Sequence, residues 1–269
     1  AVVVGGELVS WSAVMTLREA GCRTVAMVTS YEKAEAYSLF RLVGRTALRV
    51  PVRTRSHVVE IRGRGRVGEV VLEHLDTGAR EVVECDTVVM TGDWVPDHEL
   101  ARSRGLAMDP ATKGPVVDAA LRTSEPGVFA VGNLLHPVDT ADIAALDGEH
   151  VTGAVNDWLT TGQPAEHDDP NAAAALPPGV ALTVTAPLRW VVPQRVDPAD
   201  GAPPRHRLLT WCDDFVLAPA VEVSQGGRSL GRHRVWWPAA PGRVFRLPAS
   251  VLDGVKTDGG DVSIRLVGR

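Results

Sequence analysis

The chain has 269 residues, 45% hydrophobic and 23% charged, enough apolar content to bury a core and too much for a disordered chain. Its 28 Lys and Arg against 33 Asp and Glu give a net charge of −5 with no extended basic stretch, which argues against nucleic acid or an anionic membrane as the main partner. Cys22, Cys85 and Cys212 form neither a C-x-x-C pair nor a zinc knuckle, and no apolar run reaches the roughly 20 residues of a spanning helix, so the expectation is a soluble, cytoplasmic protein.

Residues 1–4 read as a continuous apolar strand, Gly5-Gly6 as a turn, and 9–20 as a helix with Val9, Ala13, Leu17 and Ala20 at helical spacing. Gly21 is the helix stop and 24–28 a second strand, completing a βαβ unit. A buried strand at the first residue is an unusual start, which predicts that further sequence precedes it. A helix over 32–43, a strand over 47–50 and a meander over 57–61, 67–75 and 81–84 complete a first block, 1–84. Within it Arg62-Gly63-Arg64-Gly65-Arg66 reads as a solvated hairpin tip rather than an RNA-binding tract.

A second block, 85–162, opens with a strand over 87–90 that ends in Thr91-Gly92-Asp93. A short helix over 96–103 and a buried strand over 127–131 follow, the latter ending in Gly132-Asn133. A helix over 139–159 closes the block, with Ile143, Leu146, Val151, Val155 and Trp158 near one face. Composition then changes, since 13 of the 19 prolines lie beyond Gly162. Residues 163–179 read as a linker, and strand-like runs at 181–192, 207–211, 216–224, 228–237, 243–247 and 261–267 predict a separate β-sandwich over 180–269.

The strand–turn–helix at Gly5-Gly6-Glu7-Leu8-Val9-Ser10 is a candidate nucleotide site, because such a turn needs glycines for close approach and a helix N-terminus for N–H donors. Gly5 matches a G-x-G-x-x-G/A fingerprint, whereas Glu7 stands at the second glycine position and Ser10 at the third. Glu7 either repels a phosphate by like charge or points outwards. The second strand ends Met27-Val28-Thr29-Ser30, with Glu32 and Lys33 beyond, so the choice between NAD and NADP stays open. His98, His136, His150 and His167 lack metal-ligand spacing and read as surface or capping residues.

The run from Cys85-Asp86-Thr87 through Thr91-Gly92-Asp93-Trp94-Val95-Pro96, and the run Thr123-Ser124-Glu125-Pro126-Gly127-Val128-Phe129-Ala130-Val131-Gly132-Asn133, resemble two late motifs of the pyridine nucleotide-disulfide oxidoreductase-like flavoproteins. The resemblance covers about residues 1–160 and implies Rossmann-like three-layer NAD(P)- and FAD-binding domains, followed here by the all-β region. It implies FAD as cofactor, with NAD or NADP as its partner. Gly5, Gly6, Ser10, Thr91 and Gly92 would then line the nucleotide turns, and Gly132, Asn133, Thr140 and Ala141 the flavin end. Asn133 replaces the family's usual Asp at the ribityl chain, although its amide still bonds a hydroxyl. The helix after it would aim its free N–H groups at the flavin. The stretch 132–141 looks most like the opine-dehydrogenase, sarcosine-oxidase and cyanide-synthase α-subunit type, which implies an amine-like substrate.

The family's first FAD fingerprint has no counterpart in this chain, and no redox C-x-x-C supports disulfide chemistry. No side chain stands out as a catalytic acid or base. Three readings therefore stand: a flavin-dependent oxidoreductase, working as a homo- or hetero-oligomer; a non-catalytic chain that keeps the fold as a nucleotide- or partner-binding module; and a nucleotide-binding sensor without flavin.

Overall fold

The computed structural model describes residues 1–36, 48–92, 95–137, 140–161 and 176–267. It divides into two compact units, 1–94 and 95–269. The expected helix over 32–43 falls mostly outside the described residues, as does most of the expected linker.

In the first unit, β1 (Val2–Val4), β2 (Ala26–Val28), β3 (Val52–Arg53) and β7 (Val88–Met90) form a parallel sheet in the order β3-β2-β1-β7. Strand side chains alternate between faces, and that alternation builds the layers. Val3, Met27 and Val89 point to α1 (Leu8–Glu19), where Trp11 and Val14 meet them. Val2, Ala26, Val28 and Val88 point the other way, against Val70 and Leu72 of the meander. That meander is β4 (Ser56–Gly63), β5 (Val67–His74) and β6 (Arg80–Glu84), antiparallel in sequence order as expected. The arginine-rich tip is held by ion pairs, with Arg62 joined to Glu60 and Glu69.

Three details differ from the sequence reading. The helix buries Ser10, Trp11 and Val14 rather than the face through Val9 and Ala13. The third strand sits at 52–53, not 47–50, because the Met27 and Thr29 amides donate to the carbonyls of Pro51 and Arg53, both at 2.9 Å. The strand assigned to the second block is β7, paired in register with β1 (Val2 to Val88), so the first unit runs past residue 84 to 94.

The second unit carries α2 (Glu99–Ser103) and α3 (Ala141–Thr161), and then two sheets. One has five strands, in the order β10 (Arg195–Val196), β8 (Val180–Val184), β15 (Val262–Leu266), β12 (Ala220–Gln225) and β13 (Arg228–Arg234). The other pairs β14 (Val244–Pro248), β11 (Arg207–Cys212) and β9 (Leu188–Val192). Leu182, Val221, Val223 and Ile264 from the first sheet share a core with Leu188, Leu208, Phe245 and Leu247 from the second.

Contrary to expectation, this sandwich is not separate. Across a register irregularity between β9 and β11, Trp190, Val192 and Leu209 face the opposite side of the small sheet from Leu188 and pack on Val117, Leu121, Ala130 and Leu135. Nor does 127–131 form a strand of a parallel sheet; among the described residues it makes one bridge, Arg122 to Phe129. Its start is a tight turn in which the Thr123 hydroxyl donates to the Val128 carbonyl at 2.9 Å.

A fragment of residues 176–269 should therefore unfold less cooperatively, and at lower urea, than residues 95–269, because its Trp190, Val192 and Leu209 face loses its cover. Circular dichroism melts of the two fragments check this. Equal midpoints would mean the shared face contributes little.

Candidate functional site

In the parallel sheet the chain leaves β1 for β2 on one flank and reaches β7 on the other, so the carboxyl ends of β1 and β7 lie side by side. Open α/β sheets take ligands at such a switch point. Gly5, Ser10 and Thr91 converge there, with the Ser10 and Thr91 hydroxyls 2.7 Å apart and Thr91 Oγ1 donating to the Val4 carbonyl at 3.1 Å. Gly5 has φ +136°, and a Cβ on it would stand 2.6 Å from Ser10 Oγ and 2.7 Å from Glu7 Oε2. Gly92 is exposed, with open space about its Cα.

Glu7 does not point outwards. It is 7% exposed, and its Oε2 accepts the Gly6 amide at 2.9 Å. Its Oε1 is buried with no hydrogen-bond partner among the described residues. Glu35, 8% exposed, accepts the Thr29 hydroxyl at 2.9 Å, and its Oε2 occupies the space where a Gly6 Cβ would project. A dinucleotide pyrophosphate needs the Gly6 amide and the open face of Gly5. Both are already in use, so the turn as it stands does not fit one. The sequence reading stopped at Glu32 and Lys33 and missed Glu35. The signal available was an acid within reach of the end of β2, the place where a ribose-binding carboxylate is sought.

Burial, set against the Thr29 hydrogen bond and reinforced by the nearby Glu7, pushes Glu35 from 4.5 up to about 7. The folded state thus holds this proton more tightly than the unfolded chain does. The associated stability is complete below about 4.5 and is lost as pH rises through about 7. Urea unfolding should therefore show a decline of about 2–3 kcal/mol between those limits, and Glu35→Gln should flatten it. An unchanged slope in the variant would remove Glu35 as the cause.

In the second unit, Gly132 opens a 3-10 turn, Gly132–Leu134, with φ +66° and its Cα against the first turn of α3, where a Cβ would meet Ala144 at 3.1 Å. Its amide donates to Asp147 at 3.3 Å. Asn133, Thr140 and Ala141 are all exposed. A glycine without a Cβ beside an exposed amide side chain fits the approach of a polyol such as the ribityl chain. The free amides expected at the head of α3 are partly taken. Asp142 receives hydrogen bonds from Thr140 and from first-turn backbone, which hold its carboxyl below the usual range. His136 is buried, not a surface residue, and stacks on Trp190 with ring centres 5.4 Å apart. His150 Nε2 lies 2.8 Å from the Ala119 carbonyl.

Asp147 is the residue that sequence reasoning passed over. It sits in the apolar stripe Ile143–Asp147–Val151, and an acid at a core-facing position was the visible signal. It pairs with Arg205, whose Nη1 also donates to the Ile143 carbonyl at 3.4 Å. Asp147→Ala should cost about 3–5 kcal/mol in urea unfolding by stranding a largely buried guanidinium. Asp147→Leu combined with Arg205→Met should recover most of that loss; no recovery would mean that Asp147 acts mainly through Gly132.

No curated protein matches the chain. Among solved structures it is similar to T. acidophilum thioredoxin reductase, at 24% identity and a TM-score of 0.50, covering 60% of this chain and 52% of that one. Lactococcus lactis thioredoxin reductase aligns at 20% identity and a TM-score of 0.53, over 60% of this chain and 52% of that one. A FAD-dependent pyridine nucleotide-disulphide oxidoreductase from Desulfovibrio vulgaris aligns over 83% of this chain and 53% of that one, at 21% identity and a TM-score of 0.46. The chain thus spans about half the length of these structures. At these identities the thioredoxin reductases speak for the fold. The family itself is established by residues 1–148, more than half of the sequence, which match its pattern: the chain belongs to the pyridine nucleotide-disulphide oxidoreductase family.

Proposed function

We propose that the chain is part of a cytoplasmic flavin-dependent oxidoreductase, a homo- or hetero-oligomer, in which hydride passes between FAD and either NAD(P)H or an amine-like small molecule. FAD, when bound, supplies the two-electron chemistry. The residues of this chain supply position. Asn133 offers its amide to the ribityl hydroxyls, Gly132 lets the backbone approach, and Thr140 with Ala141 borders the ring end. Asp147 holds that turn in place by accepting the Gly132 amide while Arg205 neutralises it. The observation that carries this reading is the Gly132–Leu134 turn, set left-handed against the head of α3 within a stretch matched by the family.

FAD titration of the longest natural form of the protein, followed by the flavin spectrum, tests it. Asn133→Asp should bind as the parent does. Asn133→Leu should bind roughly tenfold to a hundredfold more weakly, since it leaves ribityl hydroxyls unpaired. Equal binding by the leucine variant would remove Asn133 from the flavin site. A protein that stays colourless with FAD would favour the non-catalytic module.

A further inference from the structure

The head of α1 is where the first unit offers its best anion site: a glycine pair, the first-turn backbone amides and the positive end of a helix. The chain fills it from within. Glu7 Oε2 stands beside Gly5, on the side where a Cβ would project, and takes the Gly6 amide. Glu35 Oε2 covers Gly6 from the β2 side, anchored by Thr29. Neither carboxylate has a salt-bridge partner among the described residues, and Glu7 Oε1 has no hydrogen bond there either.

We propose that Glu7 and Glu35 form an internal plug that excludes the pyrophosphate of NAD(P)H from the first unit. The hydride donor of the reaction proposed above is then the small-molecule substrate; that last step rests on the proposed function, while the exclusion depends only on residues around the turn.

Two effects act together. The oxygen of Glu7 stands where a phosphate oxygen has to sit, and it uses the donor that phosphate has to use. Any residual approach meets carboxylate charge in a poorly hydrated recess, where repulsion between like charges is weakly screened. The raised affinity of Glu35 for its proton comes mainly from its burial, with a smaller contribution from the nearby Glu7. Glu7 is also an unusual helix N-cap. Its side chain bonds back to residue 6 instead of capping the first turn, so it leaves the α1 amides to whatever enters once it is removed.

The test is titration of the whole chain with NADH and with NADPH, followed by nicotinamide fluorescence and without added flavin. The parent should show no saturable binding. Glu7→Gly, which restores both the space and the donor, should gain at least about tenfold in affinity, and Glu7→Gly with Glu35→Gln should gain more. Glu7→Gln keeps the side-chain volume, so it serves if the glycine variant loses its circular dichroism spectrum; a gain there isolates the charge. Saturable binding by the parent overturns the plug, as does failure of every folded variant to bind. Because the readout needs no flavin, failure to bind FAD would sink the proposed function and leave this inference standing.

Discussion

A carboxylate taken out of water has to find donors inside the protein, and the second unit is arranged around two that do. Asp118, fully buried, accepts the amides of Ala120 and Arg122 at 2.9 Å each and the Arg122 guanidinium at 2.6 Å. Arg122 in turn reaches Asp200. Asp147 accepts the Gly132 amide and pairs with Arg205. Each network starts in the family-matched stretch and ends beyond residue 176. Separating the two halves would leave Asp118 with Arg122 but would strip the buried Asp147 of Arg205, and a buried charge without its partner costs more than the pair itself contributes. The apolar contact of Trp190, Val192 and Leu209 with Val117, Leu121 and Leu135 follows the same boundary, so charge and packing join the halves together.

The first unit handles its buried acids differently. Among the described residues, Glu7 takes the Gly6 amide, Glu35 takes the Thr29 hydroxyl and its own backbone amide, and no cation pairs with either. What tolerates them is the backbone, because the head of α1 presents unpaired amides and a partial positive charge. That compensation is incomplete, which is why burial dominates and Glu35 keeps its proton up to about 7.

Much of the fold was legible because apolar alternation and turn residues are local. The βαβ opening, the meander and most of the late strands follow from patterns of a few residues. The strand over 87–90 was legible as a strand but not by partner, since its motif resembles a crossing between domains while its hydrogen bonds go to β1. Prolines near 177 read as a boundary, yet the small sheet exposes a second apolar face that needs cover from 117–135. The site was half legible. Gly5, Ser10 and Thr91 meet because strand ends are adjacent in a parallel sheet; helical spacing puts Asp147 on the core face, but its partner Arg205, like the Thr29 partner of Glu35, is set by tertiary contact.

An anion site at a helix N-terminus is defined by its donors, and those donors do not distinguish a phosphate oxygen from a carboxylate of the same chain. A side chain already tethered one residue away competes at an effective concentration that no free ligand reaches. A single Glu at the second glycine position of the fingerprint therefore changes the ligand logic of the turn without disturbing the sheet, since β1, β2 and β7 pair through backbone alone. That separation is how one fold keeps its architecture while its binding sites diverge.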